Sequence, residues 1–596
     1  MATIGIDFGT TYSCVASFRQ RQAKIILDNY GNMVTPSVVS FTEDECLVGY
    51  PAVEQMSCNL ENTVYDIKRL IGRSSKEIDE ENLAEQLTFE ISLSQQRPKV
   101  VVQYQGTRRM FDAEEVVGLL LNEIKSSVQS CLNDGIAGVV VTVPASFTYI
   151  QREAIHRACT LAGLGERVQL LNEPTAAAIA FGLDNRLPEN SVILVYDLGG
   201  GTFDLNIMKY HDSIFEVITT RGDRHLGGRD FDIRLMNHLK RNFEKQHKCD
   251  LTGNKSVLQR LRLACEKAKL RLSDAEIAQV KLPNFIENIA LTATVQRATF
   301  EKINQDLFDR TMKLTREAIA MSQINEDSID EVILIGGSTR IPRIRKMLRD
   351  AFPNKVNCTI NPNHVVAEGA ALYAAKLFGR DNRDDQMADW IIQDVNQLSL
   401  GLEDSQGNMV TLIEPNSPLP IKSTHYVTTD SDQQTNVYIA VYEGDHSFAQ
   451  RNQLLDHYVL EGIEPQPAGK SLIKINFELN AEGMLNVKST NLHNGTFIHR
   501  KIQTSRFEEL KKITQQQHQQ SFASQTGSKA KASRRIQKEA LVRLQTLLKL
   551  LGCCPNSPSK ATEYKKIKDW LDNNPSASID ELESMIQRCE QSLDID

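Results

Sequence analysis

No Cys-x-x-Cys pair occurs in this chain, and its 11 cysteines keep no metal-ligand spacing. An odd, scattered set of this kind reads as reduced thiols in a cytoplasmic setting. The one adjacent pair, Cys553-Cys554, is read as packing at a helix end. No basic region followed by a long apolar stretch opens the chain, and Asp7 interrupts its first apolar run. Neither a signal peptide nor a membrane span is therefore predicted. The basic excess of a nucleic-acid binder is missing too: 68 Lys and Arg stand against 76 Asp and Glu, a net charge of −8. That mild acidity favours simple solubility and excludes nucleic acid and membrane as expected partners. What remains is an ordinary composition, 41% apolar over 596 residues, with room for about four domains.

The chain is organised around V-I-L-V-Y-D-L-G-G-G-T-F-D at 192–204. Residues 192–196 form a short buried-strand run that ends on Asp197, followed by Gly199, Gly200, Gly201 and Thr202. A glycine turn lets backbone N–H groups approach a phosphate closely, and the Thr202 hydroxyl adds a donor. Asp197 and Asp204 would repel a naked polyphosphate, so phosphate at this turn implies an intervening cation, most simply Mg²⁺. The plain alternative is a glycine-rich hairpin with surface aspartates. The pattern recurs, however, in T-I-G-I-D-F-G-T-T-Y at 3–12, with Asp7, Gly9, Thr10, Thr11 and Tyr12. A third strand, 332–335, runs into Gly336, Gly337, Ser338, Thr339 and Arg340. Repetition fixes architecture. Two copies of one phosphate hairpin predict two similar lobes with a nucleotide between them and its base near the third loop.

Residues 1–380 alternate strand-like and helix-like segments, the α/β pattern. A strand at 139–143 is stopped by Pro144, and a helix is predicted over 151–162. N-E-P-T-A-A-A-I-A at 172–180 places Glu173 just before Pro174 and an alanine-rich helix, where it is either an acidic cap or a site residue. The helix predicted over 258–272 carries Glu266 and Lys269, with Ser273 beyond it, and on pattern alone these face solvent. A charged segment at 379–385 precedes Trp390-Ile391-Ile392-Gln393-Asp394-Val395, a linker with an apolar centre. Frequent turns and strict alternation at 437–442 and 472–479 predict an all-β sandwich over 398–505. Residues 506–596 read as helices that pack together, with an apolar face over 536–551 and a capping box at 578–581.

These residues carry a family resemblance. I-D-F-G-T-T-Y-S at 6–13, D-I-K-R-L-I-G-R at 66–73, V-T-V-P-A at 141–145, N-E-P-T-A-A-A at 172–178, D-L-G-G-G-T-F-D at 197–204 and G-G-S-T-R-I-P at 336–342 resemble the seventy-kilodalton heat-shock chaperones of the DnaK type. The likeness covers about 1–505 and is strongest through 378. It implies an α/β, actin-like, two-lobed ATPase domain at 1–380, a linker at 381–397, a β-sandwich peptide-binding domain at 398–505 and a short α-helical lid at 506–596. By resemblance, Asp7, Glu173, Asp197 and Asp204 hold Mg²⁺ and its waters, and Gly9, Thr10, Thr11, Tyr12, Gly199, Gly200, Gly201 and Thr202 line the phosphates. Lys68 orients the attacking water. Gly228, Glu266, Lys269, Ser273, Gly336, Gly337, Ser338 and Arg340 cradle adenosine. Pro144, Arg152 and Asp394 match a relay to the peptide domain, where Leu400, Leu402, Val427, Val437 and Ile439 fall on peptide-pocket positions or are ordinary sandwich core. ATP and ADP with Mg²⁺ are the implied cofactors, with K⁺ a further candidate ion. The implied partners are extended client polypeptides, a J-domain co-chaperone and a nucleotide exchange factor.

Departures from the family pattern concentrate on coupling. Ser146 stands where Tyr is usual, Arg224 and Arg229 where Thr and Glu are usual, and Asn363-His364 replaces an acidic pair. The two residues that usually arch over the peptide fall on Ser405 and Asp430, a poor apolar clamp, so weak or altered peptide binding is expected. The chain ends Leu593-Asp594-Ile595-Asp596, and partners that read the family's acidic E-E-V-D ending are expected not to bind. Three functions stand against one another: a slow ATPase that cycles peptide, a regulator that holds nucleotide without cycling, and a small-molecule kinase on the same actin-like fold. The sandwich argues against the kinase, which needs no such domain after its cleft.

Overall fold

The computed structural model describes residues 2–502 apart from 20–21, 133–134, 186 and 380–389, and in the tail 565–571, 581–582 and 584–585. Two compact units are present, Met1–Thr504 and Ser505–Asp596. The helices predicted over 506–596 lie almost wholly outside the described residues. Within the tail, 565–571 is helical and buries Ile567.

The first unit contains two six-stranded sheets of the same plan. In one, Ala2–Asp7 pairs antiparallel with Tyr12–Arg19 and parallel with Ile136–Val143, which continues to Val168–Asn172. In the other, Ser191–Leu198 pairs antiparallel with Phe203–His211 and parallel with Glu331–Ile335, which continues to Val356–Asn357. The predicted repetition is thus a duplication of sheet topology. It puts Asp7 at the end of one central strand and Asp197 opposite Asp204 at the end of its counterpart. The central strands read as unbroken apolar runs because both faces are covered, as parallel strands require.

Each lobe has its own core. One holds Ile4, Val141, Leu120 and Ile155, the other Leu194, Leu205, Phe231 and Phe308. Between them lie two helices rich in small residues, Glu173–Asn185 and Val365–Phe378. A Cβ on Gly369 would fall 1.8 Å from the Ala176 carbonyl oxygen, so only glycine permits this crossing. Glu173 opens its helix with Pro174 in the first turn, as the sequence predicts.

The β region beyond the lobes has two four-stranded antiparallel sheets that share one core. Leu400, Val437 and Leu460 contribute from one sheet and Ile473, Phe477 and Val487 from the other. Tyr149 and Ile150, from the helix Tyr149–Leu161 of the first lobe, complete that core.

The apolar centre of the linker is more ordered than a connector needs to be. Ile391–Gln393 is a strand that joins the second lobe's sheet, parallel to Ile214–Asp223. Its anchor is Trp390, 3% exposed, with Phe215 edge-on at 6.2 Å, Tyr373 at 6.1 Å and the Lys376 ammonium 4.4 Å from its ring centroid. Three residues of strand pairing alone would be a weak attachment, so the buried indole is what fixes the register.

Removing this anchor should free the linker. Trp390→Ala is expected to cost about 3 kcal/mol or more of attachment. Limited proteolysis at 390–397 should then run faster than in the unaltered chain. Equal cleavage rates would show that the strand holds without the indole.

Candidate functional site

The duplicated hairpins face one another and their turns touch. A Cβ on Gly200 would meet Thr11 Oγ1 at 2.3 Å, so the glycine at this point is a condition of the approach. Between the lobes lies a cleft of about 510 Å³, within the usual range for small-ligand sites. Asp7, Gly9, Thr10, Thr11, Tyr12, Lys68, Glu173, Asp197, Gly199, Gly200, Thr202, Gly228, Glu266, Lys269, Ser273, Gly336, Gly337 and Ser338 all line it. Three expected residues, Arg340, Gly201 and Asp204, do not. Arg340 is exposed, bonds Asn361 at 3.2 Å, and faces a shallow basic basin beside Ser273, with Arg345, Lys346 and Arg349. Gly201 and Asp204 are buried behind the lining.

Lys68 is the cation of the cleft floor. It is 4% exposed, donates to Glu173 Oε1 at 2.6 Å, and also bonds the Phe8 carbonyl. Its position comes from a short 3₁₀ turn, Ile67–Arg69, entered through Asp66 in a left-handed conformation (φ 53°). Around it the carboxylates outnumber the positive charge. Burial, reinforced by Glu173, raises Asp7 to about 7. The same causes, with Asp204 and Asp7 adding, hold Asp197 well above the ordinary carboxylate range. Asp204 is raised to about 6, chiefly by burial. Its Oδ1 accepts the Ser146 N–H at 2.9 Å, and its Oδ2 is buried with no hydrogen-bond partner. Buried carboxylates pushed up together mark a place that would gain from a positive charge. Among the described residues, no three His, Cys, Asp or Glu side chains converge closely enough to ligate one ion by themselves.

On the far wall the sequence undervalued burial. Lys269 is not on a solvated face; its ammonium bonds Asp232 at 2.8 Å and the Gly228 carbonyl at 2.9 Å. Burial raises Asp232 to about 6. Ser338 Oγ donates to the Gly199 carbonyl at 2.9 Å, which ties the third loop to the glycine turn. Asp232 was legible only as one carboxylate among many on a helix.

The relay residues are brought together, though not as one direct contact. Arg152 donates to Asn172 Oδ1 at 2.7 Å and to the Ala145 carbonyl at 3.3 Å, while the Pro144 carbonyl accepts from Phe147. Asn172 Nδ2 and Thr175 Oγ1 each donate to Asp394 Oδ2 at 2.9 Å. Asn172 and Thr175 flank Glu173, so the linker aspartate is bonded on both sides of a cleft residue.

The sandwich adds contacts that no motif announced. Tyr149 N–H donates to the Glu443 carboxylate, at 3.1 and 3.0 Å to its two oxygens. The Tyr149 hydroxyl bonds the Ile502 carbonyl. His156 lies 2.8 Å from Glu482, which also accepts from Leu170 N–H. Leu400, Leu402, Val437 and Ile439 are buried in the sandwich core and Val427 packs half-buried against it. Ser405 and Asp430 are exposed on separate turns.

A family model described as Hsp70 protein matches residues 3–594. The chain belongs to the Hsp70 family. It is 37% identical over 594 residues to a heat shock 70 kDa protein of Emericella nidulans, covering 98% of this chain and 92% of the relative. A heat shock 70 kDa protein of Neurospora crassa is 37% identical over 592 residues, covering 97% and 91%. The rice protein named heat shock 70 kDa protein BIP3 is 40% identical over 495 residues, covering 83% and 74%. Hsp70 proteins are chaperones and ATPases. No helix among the described residues is long and apolar enough to cross a membrane.

Glu443 gives the docked sandwich a pH dependence. Burial raises its carboxyl to about 7, although Tyr149 N–H, Arg224 and Arg152 favour the charged form and Asp445 opposes it. A carboxyl raised by docking contributes fully below its ordinary range, and the contribution is lost as pH rises through about 7. Protease protection at 390–397 should therefore weaken between about pH 5 and pH 8, and Glu443→Gln should flatten the profile. A profile unchanged in the variant would assign the dependence elsewhere.

Proposed function

We propose that this Hsp70 protein binds ATP in the interlobe cleft and hydrolyses it slowly, and that hydrolysis switches the sandwich's hold on extended apolar segments of unfolded polypeptides. One observation carries the reading: two Gly–Thr turns meet across a cleft whose floor holds one lysine and an excess of buried carboxylate. Phosphoryl transfer needs positioning and charge neutralisation more than covalent help. The turns at Gly9–Tyr12 and Gly199–Thr202 would bind the phosphates through backbone N–H groups and hydroxyls. The wall of Gly228, Glu266, Lys269, Ser273, Gly336, Gly337 and Ser338 would take the adenosine, with Arg340 reaching it only from the rim.

The carboxylate set fits a hard cation, because Asp204 keeps a buried oxygen without a partner and its neighbours resist ionisation. Held by Asp7, Glu173, Asp197 and Asp204 through waters, Mg²⁺ would neutralise the phosphate charge. Lys68, held by Glu173, would orient the attacking water. Glu173 is also the point at which the cleft meets the linker, since its neighbours Asn172 and Thr175 hold Asp394. ATP would bind the docked arrangement better than the free one, and that difference is the whole capacity of the switch. A J-domain protein and a nucleotide exchange factor are the partners such a cycle needs. The cytoplasm is the proposed location, as the scattered cysteines without paired spacing suggest.

A second reading is a nucleotide-bound regulator without peptide cycling. It is favoured by Ser405 and Asp430, whose exposed polar side chains offer no apolar arch. Single-turnover hydrolysis, with and without peptide and a J-domain protein, separates the two: stimulation supports the chaperone cycle, and none favours the regulator.

Lys68→Met should leave ATP binding in place by calorimetry and slow single-turnover hydrolysis about a hundredfold. An unchanged rate would remove Lys68 from the chemistry. For peptide, fluorescence polarisation with an extended apolar probe should give weaker affinity than for the Emericella nidulans relative. Ser405→Ala combined with Asp430→Val should recover about tenfold, the value of a little apolar cover. Equal affinity in the unaltered chain would refute the weak-clamp expectation.

A further inference from the structure

The basic basin beside the cleft is not used by the reading above. It is built on the helix Pro342–Ala351, which starts on a proline and buries Ile344 and Leu348, one turn apart, in the second lobe's core. That anchorage leaves Lys346 and Arg349 exposed and Arg345 half-buried. With Arg340, Ser273, Pro342 and Asp350 they line a basin of about 330 Å³. Ser273 also lines the interlobe cleft, so whatever sits in the basin borders whatever sits in the cleft.

The cations of the basin have neutral partners. Arg340 donates to Asn361 Oδ1 at 3.2 Å, Arg345 Nε to the Thr339 carbonyl at 3.1 Å, and Arg349 to Cys358 Sγ at 3.9 Å. Among the described residues none of these three, nor Lys346, is within ion-pair distance of a carboxylate. Elsewhere exposed arginines do meet acids, as Arg234 meets Asp306 at 2.7 Å. Arg345 and Arg349 stand one turn apart on the same helix and repel each other. An anion entering the basin would relieve that repulsion.

We infer that the basin is a docking site for an acidic segment of a partner polypeptide. Guanidinium forks take a carboxylate with two hydrogen bonds at once. No aromatic side chain lines the basin for a base to stack on, which argues against nucleic acid. Asp350, also in the lining, would repel a continuous run of phosphates and would accept a lone basic residue within an acidic sequence. The whole chain carries a net charge of −8, so the attraction is local. At physiological salt it is screened beyond about 8 Å. A short acidic segment fits within that range, whereas a long polyanion would extend over a protein of its own sign. The inference does not need the cleft to hold nucleotide.

The test is fluorescence polarisation of the full chain, free of nucleotide, with a labelled oligoglutamate peptide that carries one internal lysine. Binding with a Kd on the order of 10 µM is expected at low salt, weakening about tenfold toward physiological salt. Lys346→Gln combined with Arg349→Gln, both exposed side chains, should weaken binding about tenfold at an unchanged thermal midpoint. Lys346→Arg with Arg349→Lys keeps both charges and should stay within about threefold. Lys422→Gln with Lys470→Gln removes the same charge from exposed positions of the sandwich and should leave binding as it was. No binding, or equal losses from the two neutralised pairs, would overturn the proposal. So would inorganic polyphosphate, or a single-stranded oligonucleotide of matched charge, that binds more tightly than the peptide and displaces it, since the basin would then be a phosphate site.

Discussion

The crossing of the helices Glu173–Asn185 and Val365–Phe378 is the constraint on which the rest of the first unit depends. Small residues line the contact, and at Gly369 there is no space for even one carbon. The first sheet is bound to the same place, since a Cβ on Gly5 would meet the Ala371 amide nitrogen at 2.1 Å. Because both lobes lean on this crossing, the strands ending in Asp7 and Asp197 emerge facing each other. Interiors packed to this density do not deform gradually.

Charge arranges the interior of the cleft. Burial and mutual repulsion push Asp7, Asp197 and Asp204 up, while Lys68 pulls the other way and is itself held by Glu173. The site is built short of positive charge at the place where phosphates and a metal would arrive together. The same Glu173 begins the helix that reaches Asp394, so the electrostatics of the cleft and the attachment of the linker share one turn of backbone.

The two hairpins were legible because their information is local. Asp, Gly and Thr at fixed offsets make a turn with a recognisable chemistry, and the turn repeats. Glu173 with Pro174 was legible for the same reason. Only by resemblance did Lys269 fall in the cleft; on pattern alone it read as solvated, because its partner Asp232 lies on another helix and periodicity carries no record of neighbours between elements. The linker strand was invisible because Ile391–Gln393 has no strand signal beyond three residues; its pairing with Ile214–Asp223 depends on an indole finding Phe215 and Tyr373. The contact of Tyr149 with Glu443 joins positions 294 apart, and nothing in either segment names the other.

The helix Tyr149–Leu161 begins with a complete capping box, Thr148 with Gln151, and also receives Glu443 from the sandwich. It has two sources of support at one terminus. On the ribosome, residues 1–380 emerge long before 443 and 502 exist, and domains mature in that order. The capping box lets the nascent lobe complete this helix on its own. The later arrival then adds to an element already formed, and its departure leaves no frayed end behind. An element that never needed its second support during synthesis can lose and regain it throughout the life of the protein.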